Sequence, residues 1–81
     1  MKKIIIIGAG AMGSAFAVPC VDNKNDVTIV GTHLEDDLIE NINSNDYIHP
    51  ALKIKLPKEI KFKKFAELQS ILQKDIDLIV A

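Results

Sequence analysis

The sequence predicts an α/β fold: a parallel sheet with helices on both faces. Three observations carry that expectation. Near its start the chain carries Lys3 and four consecutive isoleucines, Ile4–Ile7, a strand apolar on both of its faces, as a doubly covered parallel sheet requires. Gly8, Gly10 and Gly13 follow at once, spaced G-x-G-x-x-G and running into an alanine-rich helix start. Short apolar runs then alternate with helical patterns, in the order strand, helix, strand, helix, strand, helix, strand.

Each part of the opening has a mechanical reason. Gly8 allows a tight turn out of the first strand. Gly10 lets backbone approach a pyrophosphate with no Cβ in the way, and Gly13 lets the new helix pack close to the sheet. The helix then begins beneath the ligand, with free amides and the positive end of its dipole facing an anion. The glycine spacing follows a strand and opens a helix, which is the context that marks a Rossmann-type dinucleotide site. The amides of Ala11, Met12 and Gly13 are therefore expected on the pyrophosphate. The side chains of Ala11 and Met12 equally suit the packing of a first helical turn.

The first helix should span about Ala11 to Asn23, with Ala15, Phe16, Val18 and Cys20 against the sheet. Pro19 lacks the N–H that would bond back to Ala15, so a kink or an early frayed turn is expected there. Asn23 or Asn25 should take the left-handed conformation that ends the helix, since no glycine is present. Strand two is Val27–Val30, and Gly31 ends it. Thr32-His33-Leu34-Glu35 reads as a T-x-x-E capping box opening the second helix. Leu34, Leu38, Ile39 and Ile42 should form its inner face.

The segment from Tyr47 to Glu59 is the least regular and reads as an extended connection with room for a short helical turn. Six lysines lie between Lys53 and Lys64. Their alternation with apolar residues favours a solvated edge over an anion site. Strand three falls near Ile60–Lys63. A third helix runs from about Phe65 to Gln73, with Phe65, Leu68, Ile71 and Leu72 facing inward. Strand four covers Ile76–Ala81. A doubly wound fold orders these strands 3-2-1-4, with strand one central and strand four at an open edge. An unpaired apolar edge is an aggregation hazard. The 81 residues are therefore expected to be the front part of a longer enzyme, with further strands and a substrate domain beyond strand four.

Composition narrows the function classes. The chain is 48% hydrophobic and 26% charged, with a net charge of −1, the profile of a soluble globular domain. That balance gives no electrostatic case for nucleic acid or an anionic membrane. One cysteine, Cys20, permits no internal disulfide and no cysteine-based metal cluster. Its apolar neighbours suit a buried thiol. Met1-Lys2-Lys3 and the short apolar run read as the first strand of a cytoplasmic protein rather than a secretion signal. No Ser-His-Asp set, carboxylate pair or metal cluster stands out, so the candidate residues all concern the cofactor.

An NAD-specific site would place an acid at the carboxyl end of strand two. This chain has Gly31-Thr32-His33 there. No acid bars a 2′-phosphate, yet all ten basic residues are Lys, so no Arg is available to clamp one. NAD and NADP both stay open, with a tilt to NADP or dual use. Thr32 suits either ribose contact or helix capping, and His33 is a candidate contact in an otherwise solvated loop. His49, before Pro50 in a turn, reads as structural.

Gly8–Ala15, Ala17-Val18-Pro19, Asp22-Asn23 and Val30-Gly31-Thr32 resemble the amino-terminal cofactor domain of NAD(P)-dependent glycerol-3-phosphate dehydrogenases. His49-Pro50-Ala51-Leu52-Lys53-Ile54-Lys55-Leu56-Pro57 resembles the archaeal-type branch of that family. The likeness spans nearly all of the chain. It implies that Ala11, Met12 and Thr32 line the cofactor. It also implies reversible hydride transfer between the nicotinamide and C2 of glycerol 3-phosphate or dihydroxyacetone phosphate, for the phospholipid backbone. The expected partners are thus a nicotinamide dinucleotide and a small phosphorylated substrate, with homo-oligomers left open. Lys24-Asn25 departs from the family's Gly-His. The family's next cofactor lysine and its catalytic lysine would lie beyond strand four, so these 81 residues alone are expected to be inactive. The glycine motif is shared with ketopantoate reductases, though the His-Pro segment speaks against them. A non-catalytic nucleotide-sensing module is the other alternative.

Overall fold

The computed structural model describes residues 2–73 and 76–80. Its elements are β1 (Lys3–Ile7), α1 (Ala11–Asp22), β2 (Asp26–Val30), α2 (Asp36–Ser44), β3 (Lys61–Lys63), a 3-10 turn (Phe65–Glu67) running into α3 (Leu68–Leu72), and β4 (Leu78–Val80). The four strands form one sheet in the order β3-β2-β1-β4, and every pairing is parallel. The expected order and the central place of β1 are both met.

Register explains the core. Phe62, Ile29, Ile6 and Val80 pair across the sheet in one row. That row shares a face with Ile4 and Val27, and it packs with Ala17, Ile39, Ile42, Leu56 and Ile60 from the covering segments. The opposite face carries Ile5, Thr28 and Val30, all buried. Alternate residues of each strand therefore enter opposite layers, so apolar residues fill almost every position.

Several details differ from the sequence expectation. Of the expected inner face of α1, Val18 and Cys20 pack against the core, whereas Ala15 and Phe16 are exposed; Ser14, Ala17 and Val21 turn inward instead. The positions 14, 17, 18 and 21 have helical spacing, and the close seat of Gly13 decides the rotation. The helix runs past Pro19 to Asp22 without fraying. It ends in a Schellman motif: the amide of Lys24 donates to the carbonyl of Val21 (2.8 Å), and the amide of Asn25 to that of Cys20 (3.2 Å). This geometry puts Lys24, rather than Asn23 or Asn25, at φ 63°, because the left-handed residue is the one after the cap.

The second helix starts at Asp36, four residues later than the Thr32 opening, and Leu34 is 84% exposed. Only Leu38, Ile39 and Ile42 of the expected face pack inward. In the 3-10 turn and α3, no residue is fully buried, and Phe65 and Leu72 are each 42% exposed, since that short segment only partly covers its face. Strand four is three residues long, and the expected Ala81 lies outside the described residues.

The lysine-rich segment folds back on itself. Ile48 and Lys55 form an isolated antiparallel bridge, and Leu56 donates to the carbonyl of Tyr47 (2.8 Å). Lys55 and Lys58 meet Asp46, Lys61 meets Asp26, and Lys64 meets Glu40. Four of the six lysines, Lys55, Lys58, Lys61 and Lys64, are thus matched to acids.

Candidate cofactor site

The site begins where β1 turns into α1. Gly8 has φ +114°, a conformation open to glycine and strained for other residues. At Gly10, the N-cap of α1, a Cβ would point into open space. At Gly13 a Cβ would stand 2.5 Å from the carbonyl oxygen of Gly8. The three glycines thus act differently: one bends the chain, one leaves room, and one seats the helix on the bend.

The first helical bond runs from the Ser14 amide to the Gly10 carbonyl (3.0 Å). The amides of Ala11, Met12 and Gly13 precede it, so the helix itself offers them no acceptor. They sit at the positive end of α1, the arrangement that suits a phosphate. Gly8, Gly10, Met12 and Gly13 line an open groove of about 640 Å³ together with Phe16 and Val80. Met12 is 88% exposed, so its side chain borders the groove instead of packing; the Ala11 side chain lies outside the described residues. Phe16 and Val80 were not among the candidates from sequence. Phe16, expected in the core, turns outward with the rotation of α1.

Gly31, Thr32 and His33 lie apart, at the carboxyl end of β2. Gly31 is buried, and a Cβ there would come within 2.8 Å of the Ile39 side chain and 3.2 Å of the Glu35 Cβ. Its lack of a side chain is thus required by the packing of α2. The His33 ring meets Phe65 edge-on, with centroids 5.9 Å apart. Thr32 is half-buried.

Glu35 joins the two strand ends. Its Oε1 accepts from the Ala9 amide at 3.0 Å and from the Thr32 amide at 2.8 Å. The second bond is half of the expected capping box; the return bond goes from the Glu35 amide to the Thr32 carbonyl (2.9 Å), not its hydroxyl. Partial burial pushes the Glu35 carboxyl up, but the Ala9 and Thr32 amides and the Thr32 hydroxyl outweigh it, so it ionises below the usual 4.5. The anion is the form those donors stabilise. Sequence reading placed Glu35 only in a helix cap, and the bond to Ala9 spans 26 residues.

His49 is also brought in. It is 1% exposed, and its Nε2 lies 2.9 Å from the carbonyl oxygen of Ala9. The structural reading of His49 fits this burial. Among the described residues, no three His, Cys, Asp or Glu side chains gather as a metal site, and no helix is long and apolar enough to cross a membrane.

A parallel sheet in the order 3-2-1-4, with a glycine turn feeding a helix over the central strand, defines a Rossmann-type nucleotide-binding domain. Comparison with known proteins narrows this. A family described as "NAD-dependent glycerol-3-phosphate dehydrogenase N-terminus" matches residues 3–81, and the chain belongs to it. The NADP(+)-dependent glycerol-3-phosphate dehydrogenase of Archaeoglobus fulgidus is 47% identical over 53 residues, 65% of this chain and 16% of that protein. The glycerol-3-phosphate dehydrogenase [NAD(P)+] of Shouchella clausii is 41% identical over 63 residues, 75% of this chain and 18% of that protein. The protein of the same description from Bacillus pumilus is 38% identical over 63 residues, 75% of this chain and 17% of its own length. The matched stretch thus spans about one sixth of these relatives.

Proposed function

We propose that residues 1–81 are the amino-terminal part of the dinucleotide domain of a longer, cytoplasmic glycerol-3-phosphate dehydrogenase. The bound cofactor, NAD or NADP, supplies or takes the hydride exchanged with C2 of glycerol 3-phosphate or dihydroxyacetone phosphate. The product serves as phospholipid backbone. In this reading the residues here bind and orient. The amides of Ala11, Met12 and Gly13 hold the pyrophosphate, over the space left by Gly10 and the bend at Gly8. Thr32, the backbone of Gly31 and His33 meet the adenosine ribose. The substrate groups and the proton-transfer residues lie outside these 81 residues.

The observation that carries this reading is the helix start seated on the Gly8 carbonyl, with open space above Gly10, in a chain matched by the family from residue 3 to 81. The test is oxidation of NADH and of NADPH by the complete protein with dihydroxyacetone phosphate. Turnover with one or both is expected. Failure with both removes the dehydrogenase assignment. The 81 residues alone are expected to give no turnover.

A further inference from the structure

Ala9 lies between the bend at Gly8 and the open position at Gly10, and both of its backbone polar groups are held from elsewhere. Its amide donates to Glu35 at 3.0 Å. Its carbonyl oxygen accepts from the Ser14 hydroxyl at 3.2 Å and lies 2.9 Å from His49 Nε2. Its own side chain is fully buried. The other ring nitrogen of His49 faces two donors, the amides of Ala51 at 3.1 Å and Leu52 at 3.4 Å. A nitrogen facing amide hydrogens must be the acceptor, so Nδ1 carries no proton. The proton of the neutral ring is then on Nε2, which donates to Ala9. The ring is in turn fixed by its own loop, since the His49 amide donates to Ile54 (3.1 Å) and the His49 carbonyl accepts from Lys53 (2.7 Å).

We infer that His49 is a positioning residue of the nucleotide site: by donating from Nε2 to the Ala9 carbonyl, it holds the glycine turn in the shape that receives the pyrophosphate. The 47–56 loop is thus part of the site's support, although it comes 40 residues after Ala9. A phosphate gripped by backbone amides depends on where those amides stand, and misplacement by about 1 Å is costly. The inference rests on the dinucleotide reading above.

Two substitutions separate the ring's two bonds. In His49→Gln, the side-chain amide nitrogen can reach the place of Nε2 and donate to Ala9. In His49→Asn, the side-chain oxygen can replace Nδ1 as acceptor, but nothing reaches Ala9. Dissociation constants for NADH and NADPH are measured on the complete protein by fluorescence titration, beside its thermal unfolding. His49→Asn is expected to weaken both nucleotides by about ten-fold or more, and His49→Gln to stay within about three-fold of the parent. Unchanged affinity in His49→Asn, or equal losses in both variants that follow their loss of stability, would overturn the inference. A second measurement reads the parent site directly: the ¹⁵N spectrum of the histidine rings, with the His49 signals identified by their loss in His49→Gln. It should show His49 protonated at Nε2, with that signal moving as NADH is added. A proton on Nδ1, or no movement at saturation, would also overturn it. If the parent binds neither nucleotide, the dinucleotide reading itself fails.

Discussion

The carbonyl oxygen of Gly8 lies 2.5 Å from the point where a Cβ on Gly13 would stand, whereas a Cβ on Gly10 would meet nothing within 4 Å. Two glycines of one motif therefore answer to different constraints. The contact at Gly13 is with backbone, which cannot rotate away. Gly13→Ala should cost about 1–3 kcal/mol of stability, the range for forcing extra atoms into a packed site. Gly10→Ala should cost less than about 1 kcal/mol, because the added methyl is in open space. It should nevertheless weaken NADH binding at least about ten-fold, since that space is the pyrophosphate's in the proposed site. Urea unfolding and nucleotide titration of both variants check this. Binding unaffected by Gly10→Ala would remove the phosphate from that position.

Lys24 holds the left-handed turn after α1 at φ 63°. A side chain there costs about 1–2 kcal/mol, against about 0.5–1 kcal/mol for the extra chain entropy of glycine. Lys24→Gly should therefore raise stability by about 0.5–1 kcal/mol. The denaturation midpoint should rise with no change in slope. Lys24 is exposed and outside the groove, so nucleotide affinity should not move.

The strand order was legible because apolar runs alternated with helical patterns, and parallel crossovers of one hand leave few arrangements. The bend at Gly8 was legible for the same reason: local spacing reported local geometry. The inward face of α1 was legible only in part, at Val18 and Cys20; Ala15 and Ala17 look alike to a periodicity argument, and only the seat of Gly13 distinguishes them. Lys24 was not legible, because residue preference points to Asn while position in the cap decides which residue turns left-handed. Glu35 and His49 were visible as residues, one as a cap and one as a structural histidine. Their shared partner, Ala9, was not, since those bonds join segments 26 and 40 residues apart. Sequence pattern carries no signal at that range without an alignment.

Glu35 makes a pH prediction with a definite sign. Its folded-state carboxyl ionises below 4.5, despite the burial that opposes this. Between that lowered value and the unfolded one, the unfolded chain holds more protons, so stability rises with pH through this window. The contribution is complete above about pH 5 and is lost as pH falls through the folded-state value. Glu35→Gln keeps an acceptor for the Ala9 and Thr32 amides but has no proton to gain. The variant should be less stable near neutrality and lose less on acidification. Denaturant midpoints across about pH 3–6 for both proteins would show it. Parallel acid limbs would mean that Glu35 is not ionised against those amides.

Leu78 and Ile79 in β4 are 47% and 50% exposed, although β4 is hydrogen-bonded to the central strand. Both are apolar, and they lie on opposite faces of a strand with one free edge, a combination that invites pairing with another chain. If the sheet of the complete protein continues past β4, the same residues are covered there. One substitution should then act in opposite directions. In the 81-residue polypeptide, Ile79→Lys should reduce self-association, read by sedimentation velocity, because charge blunts an open edge. In the complete protein it should lower stability by at least about 1.5 kcal/mol, because burying an isoleucine contributes about 1.5–3 kcal/mol and the lysine forfeits it. Tolerance of the lysine in both settings would mean that β4 remains an outer strand, and the proposed continuation of the sheet beyond it would fail.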